Sequence, residues 1–102
     1  MTRKEYNGWT NYETWCVNLW MGNGEGSQAY FSEMAEEAVK RNRDDMDRAK
    51  WELAESIKAY HEEALPDVQG FAADLLGAAL SEVDWDEIAG NLIDNAKEAL
   101  EA

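Results

Sequence analysis

Apolar residues recur three and four positions apart in five successive segments of this 102-residue chain. Such spacing places them along one side of an α-helix. The chain has a single proline, and no segment alternates polar with β-branched residues, so little is present from which a sheet could form. The sequence therefore predicts an all-α fold, a compact single-domain bundle of about five amphipathic helices spanning residues 1–102, with 1–9 as a polar lead-in.

The first segment predicts a helix that begins at Thr10, because Thr10 and Glu13 have the spacing of a capping box. The glycine-rich segment 22–26 ends this helix. Cys16 has no identifiable activating partner and is predicted to be an inert, buried side chain. We expect the core to receive the apolar stripe of this helix, which consists of Tyr12, Trp15, Cys16, Leu19 and Trp20.

Four more segments predict helices that start near Ser27, Asp45, Asp67 and Asp84, the last with Glu87 in capping-box spacing. Pro66 separates the third helix from the fourth. Trp51 lies off the stripe of its helix and is predicted to cover a neighbouring helix. The predicted stripes are Phe31, Met34, Ala35, Ala38 and Val39; Met46, Ala49, Leu53, Ile57 and Ala64; Val68, Phe71, Leu75, Leu76 and Ala79; and Trp85, Ile88, Ala89, Leu92, Ile93 and Ala96.

Two short blocks resemble a family of small proteins encoded by bacteriophages and other mobile elements. Residues 9–20, WTNYETWCVNLW, are similar to the opening of that family in the pattern W-x-N-Y-E-T-W-x-V-x-L-W. Residues 80–89, LSEVDWDEIA, are similar to its second recurring block. The resemblance implies a mobile-element context, and it assigns no activity and no functional residue.

The chain is strongly acidic and its charge is uneven. It has 22 Asp and Glu residues against nine Lys and Arg, a net charge of −13. Residues 62–102 hold one basic and 11 acidic residues, a net charge of −10. This field disfavours direct binding to nucleic acids and to anionic membranes. No segment has the pattern of a signal peptide or a membrane span, so we expect the chain to stay in the cytoplasm.

No catalytic site, metal site or cofactor is predicted from the residues. His61 lies beside Glu62 and Glu63 but lacks the second His of a zinc-binding HExxH helix, so it is interpreted as a surface residue near a helix end. The carboxylates of 84–87 lack the loop of a calcium site. Segment 22–26 lacks the Lys and Ser or Thr of a phosphate-binding loop.

The acidic C-terminal part leads to the main hypothesis about function. Carboxylates held at intervals like those of phosphates can dock into a basic groove that normally binds nucleic acid. This predicts a phage-type inhibitor or modulator of a host nucleic-acid-handling protein, of the anti-restriction or anti-CRISPR class, acting in the host cytoplasm. The predicted partner-binding residues are Glu62, Glu63, Asp67, Asp74, Glu82, Asp84, Asp86, Glu87, Asp94, Glu98, Glu101 and Trp9.

A second hypothesis stays open beside the first. Five aromatic residues crowd the N-terminal part of the chain, and Trp and Tyr are favoured at the centres of protein interfaces. On this interpretation the chain is an interaction or assembly module, with a homodimer among its forms. The aromatic N-terminal helix then makes the contact, with Trp9 as the best candidate for an exposed ring, and the charge only maintains solubility.

Overall fold

The computed structural model describes residues 6–64 and 70–101 and confirms the all-α prediction. The only extended pairing among these residues is an isolated bridge between Tyr6 and Trp9. They form five helices: α1 (Tyr12–Met21), α2 (Glu25–Arg41), α3 (Met46–Ala64), α4 (Phe71–Ser81) and α5 (Trp85–Glu101).

The core lies between α2, α3 and α5, which make most of the contacts between helices. The apolar stripes predicted for these three helices supply most of it, so their predicted orientation is confirmed, except that Ala64 at the end of α3 is exposed. Leu53, Ile57 and Ile88 are the largest fully buried apolar side chains. The buried apolar residues are Met21, Phe31, Ala35, Ala38, Val39, Ala49, Leu53, Ala54, Ile57, Val83, Ile88, Ala89, Ile93 and Ala96.

A tight turn precedes α1 and was not predicted in the polar lead-in. The backbone N–H groups of Tyr6 and Trp9 each donate to the other's carbonyl, at 3.0 and 2.7 Å. Between them Asn7 and Gly8 have positive φ angles of 47° and 90°. An Asn-Gly pair favours this turn, because both residues tolerate left-handed backbone angles. The Asn7-Gly8 dipeptide was therefore the signal that could have placed the turn.

The cap of α1 is Asn11 and not Thr10, so the predicted start is one residue early. The Asn11 Oδ1 atom accepts from the backbone N–H of Thr14 at 2.9 Å and from its hydroxyl at 2.6 Å. An Asn side chain serves this position well because it satisfies an otherwise unpaired N–H of the first turn. Thr10 instead donates its own N–H to Glu87 on α5.

The predicted orientation of α1 is wrong. Its buried residues are Thr14 and Met21, one face of the helix, and Val17 packs partly against the core beside them. Leu19 and Trp20, which belong to the predicted core stripe, are exposed. The side that meets the core is itself nearly uncharged, so apolar spacing marked a helix without deciding which side is buried.

The fourth helix also departs from the prediction. None of the residues of α4 is buried, and Phe71 and Leu75 of its predicted stripe are 78% and 55% exposed. Its N-cap is Gly70, with φ of 67° and no side-chain cap bond. The predicted cap Asp67, the stripe residue Val68 and Pro66 lie outside the described residues. The helix lies on the periphery and turns an apolar side to solvent.

The predicted start of the second helix is also wrong. The helix begins at Glu25 after Gly24, two residues before Ser27, whose hydroxyl donates to the Gly24 carbonyl at 3.3 Å. Trp51, which was predicted to cover a neighbouring helix, is 60% exposed. No helix within residues 6–64 and 70–101 combines the length and apolar character needed to cross a bilayer.

Candidate interaction surfaces

The described acidic residues of the C-terminal part are distributed over α3, α4 and α5. Glu62 and Glu63 end α3, Asp74 lies on α4, and Glu82 follows α4; all four side chains are exposed. Asp67 lies outside the described residues. The remaining predicted site carboxylates are on α5 or at its cap, and they are Asp84, Asp86, Glu87, Asp94, Glu98 and Glu101.

Two of these carboxylates hold the fold together. Asp84 caps α5, as predicted, by accepting from the backbone N–H of Glu87 at 3.1 Å. The other half of the predicted capping box is absent, since the Glu87 Oε1 atom accepts from the backbone N–H of Thr10 at 3.0 Å. The N–H of Asp84 donates to the Thr14 hydroxyl at 2.8 Å. These bonds join α1 to the first turn of α5.

The outer side of α5 carries a short row of exposed carboxylates. Asp94, Glu98 and Glu101 occupy positions i, i+4 and i+7, which fall within an arc of about 60° on the helix surface. The buried residues Ile93 and Ala96 lie on the opposite side. We call Asp94, Glu98 and Glu101 the acidic ridge.

The acidic ridge carries unpaired negative charge. The described ion pairs both involve Glu52 of α3, whose carboxylate lies 3.6 Å from Arg41 and 3.6 Å from Arg48. None of the ridge carboxylates forms an ion pair with a described basic residue. Charges without internal partners are available to a partner protein.

A shallow open groove lies beside the N-terminal end of the ridge. Its walls include Trp9, Lys50, Asp86 and Asp94. Trp9 is half-buried and packs against the core. The prediction that Trp9 is the best candidate for an exposed ring is therefore wrong. Lys50 places one positive charge among the carboxylates of this groove.

A second surface is apolar and comes from the helices whose orientation was mispredicted. On α1 it includes Tyr12, which is 51% exposed, and Trp20, which is 67% exposed. On α4 the exposed residues Phe71, Leu75 and Ala79 are four positions apart and share one side. We call this surface the outer apolar face; its residues are Tyr12, Trp15, Cys16, Leu19, Trp20, Phe71, Leu75 and Ala79.

The two helices meet within this face. A groove is lined by Tyr12, Cys16 and Val17 of α1, by Ala79 and Leu80 of α4, and by Glu13 and Val83. Cys16 is thus half-buried at a groove, and the prediction of a buried side chain is wrong. The pKa of Tyr12 is raised above its ordinary value, chiefly by the negative charge of ionised Cys16 and by a hydrogen bond between the two side chains.

His61 is more deeply embedded than a surface histidine. Its ring stacks on Phe31 with centroids 5.8 Å apart and lies 5.5 Å from Trp85. Its Nδ1 atom donates to the Ile57 carbonyl at 2.9 Å. The ring therefore joins α2, α3 and α5 as an aromatic packing element. Among residues 6–64 and 70–101, no three His, Cys, Asp or Glu side chains are grouped to hold a metal ion.

Comparison with known proteins places the chain in a family. The model of a family of unknown function (DUF7249) matches residues 2–101. The chain belongs to this family. The match spans both of the short blocks singled out in the sequence and the segments between them. No curated protein and no solved structure matches the chain.

Proposed function

We propose that this member of the DUF7249 family is a phage-type inhibitor or modulator that binds a host nucleic-acid-handling protein, of the anti-restriction or anti-CRISPR class. The observation that carries the proposal is the acidic ridge, three exposed carboxylates in line on α5 without internal ion pairs. In this role the ridge carboxylates replace phosphates against Lys and Arg of the partner, and the body of the chain blocks the groove. No catalysis by the chain is required.

The ridge presents its charges as a short row along one helix. Along the helix axis, Asp94 and Glu98 are about 6 Å apart and Glu98 and Glu101 about 4.5 Å apart. Each strand of duplex DNA carries one charge about every 3.4 Å along the axis. The ridge charges are therefore more widely spaced than the phosphates of a strand, and the three of them replace a short run of phosphates at a basic site of the partner.

The proposed partner can be tested by capture and competition. The chain is immobilised and exposed to nuclease-treated host lysate, and bound proteins are eluted with rising salt. We expect a basic nucleic-acid-handling protein that elutes by moderate salt, because exposed charge pairs are screened. Added single-stranded nucleic acid should displace it, since both ligands use one groove. A captured protein that stays bound in the presence of nucleic acid would contradict the proposal.

A second candidate function is favoured by the exposure of α1. Trp20 and Tyr12 turn large rings to solvent, and exposed apolar patches of this kind mark interaction sites. On this alternative the chain is an interaction or assembly module, as a homodimer or with another protein. The two candidates use different sides of the molecule, so variants on α1 and on α5 separate them.

A further inference from the structure

The outer apolar face is the part of the molecule that the fold itself leaves unexplained. Burying apolar surface stabilises a protein by about 25 cal/mol per Å², so large side chains are normally turned inward. Here Trp20 and Phe71 are 67% and 78% exposed, because the sides of α1 and α4 that carry them face away from the core. A binding partner would provide the burial that the chain does not.

The face is continuous from one helix to the other. Tyr12 and Cys16 of α1 line the same groove as Ala79 of α4, so the two apolar stripes meet there. Trp20 lies one helical turn beyond Cys16, and Leu75 one turn before Ala79, at about 6 Å per four residues. The groove lies where the start of α1 meets the end of α4, and an apolar groove with exposed rings beyond it can accept the apolar side of a third helix.

The charge around the face identifies the chemistry of the partner. Helices α1 and α4 contain no basic residue, and their charged residues are Glu13 and Asp74. Glu13 lines the groove, and the exposed Glu82 follows α4 directly. The described charged residues of these two helices and of the turn after α4 are thus all acidic. A partner complements this face if it has an apolar stripe flanked by Lys or Arg.

We propose that the outer apolar face is a docking site for a basic amphipathic helix of a partner protein. A second copy of the chain fits less well, because two molecules with a net charge of −13 repel each other. An added strand fits less well too, since residues 6–64 and 70–101 offer no sheet edge to extend. This inference rests on the second candidate function and specifies its partner.

The test uses the full chain and a synthetic Leu/Lys peptide of roughly 18 residues, long enough to form a helix and with its leucines at helical spacing. Backbone amide NMR shifts should change on α1 and α4 and not on the acidic ridge. Replacing Trp20→Ser together with Phe71→Ser should weaken peptide binding at least about tenfold. Trp51→Ser is the matched control, since Trp51 is a 60% exposed tryptophan on α3, and it should leave binding unchanged.

Two further peptides separate the competing explanations. A scrambled Leu/Lys peptide of equal charge lacks the apolar stripe and should bind at least about tenfold more weakly; equal binding would reduce the effect to non-specific attraction and overturn the proposal. A Leu/Glu peptide of the same pattern should not bind. If it binds, or if the chain self-associates through α1 and α4, the basic partner is wrong while the interaction function survives. Amide shifts confined to the acidic ridge would overturn both the basic partner and the interaction function of the outer apolar face.

Discussion

The backbone N–H of Asp84 donates to the buried hydroxyl of Thr14 at 2.8 Å, which ties the first turn of α5 to α1 across 70 positions of sequence. Thr14 is fully buried, and it is the one polar residue among the buried side chains described. Its hydroxyl also donates to Asn11 Oδ1, so one side chain serves both helix starts.

Replacing Thr14→Val should destabilise the fold by about 1–3 kcal/mol, because the N–H of Asp84 loses its partner in a part-buried position. Thr14→Ser is the control, since it keeps the hydroxyl and removes one methyl group at a cost of about 1 kcal/mol. Urea unfolding, with unchanged m-values, measures both. A Thr14→Val variant that unfolds with the same free energy as the wild type would mean that the hydrogen bond contributes nothing.

Trp20→Ala should change the free energy of unfolding by less than about 1 kcal/mol, because the ring is mostly exposed. Ile88→Ala should cost about 2–5 kcal/mol, because Ile88 has no exposed surface and its truncation leaves a cavity. The same urea titration compares them. A loss at Trp20 as large as that at Ile88 would place the ring in the core after all.

The contrast between these two residues also marks how far the sequence predicted the fold. Stripes containing Leu53 and Ile88 were oriented correctly, because charged residues cover the other sides of their helices. In α1 the side opposite Trp20 carries Thr14 and Met21, which are uncharged, so both sides satisfied the apolar pattern. Only the packing of α1 against α2 and α5 decided between them.

The candidate site was predictable in composition and not in arrangement. The carboxylates of 62–102 could be counted, and Asp84 was correctly expected to cap α5. Their grouping depends on tertiary structure, which puts Glu87 in contact with Thr10 and leaves Asp94 and Glu98 on an open helix side. Thr10, whose N–H donates to Glu87, lies 77 positions away, beyond the reach of any local pattern.

Gly77→Ala should stabilise α4 by up to about 1 kcal/mol, because no neighbouring atom approaches the added Cβ and Ala favours a helix interior. Amide hydrogen exchange within α4 should slow by up to about fivefold, which reports the local gain. Gly70→Ala is the opposite case. Its site is equally open, but φ is +67°, so the variant should speed exchange through backbone strain. Similar effects of the two variants would contradict this account of α4.

Cys16→Ser should lower the pKa of Tyr12 toward its ordinary value, because the charge of the ionised thiol is the largest cause of its upward shift. The raised pKa favours the neutral phenol in the folded state. The contribution of the neutral Tyr12 phenol to the stability of the fold is therefore fully present below the unfolded pKa of Tyr12. This stability is lost as pH rises through the folded pKa. NMR titration of the Tyr12 ring carbons measures the shift. A Tyr12 pKa that is the same in Cys16→Ser and wild type would exclude the thiol as its cause.

Reversing two charges of the acidic ridge, Asp94→Lys with Glu98→Lys, should weaken binding to the salt-eluted partner at least about tenfold at low ionic strength and reduce its salt dependence. Glu33→Lys with Glu37→Lys is the matched control. These residues are also exposed, also i and i+4 on one helix, and the change in net charge is the same, +4. Lysine at position 98, in the last turn of α5, complements the helix dipole, and circular dichroism checks that the double variant keeps its helix content. If both double variants lose affinity equally, general attraction by net charge explains the binding. If neither does, the ridge is not the contact, and the outer apolar face becomes the surface to test against the same partner.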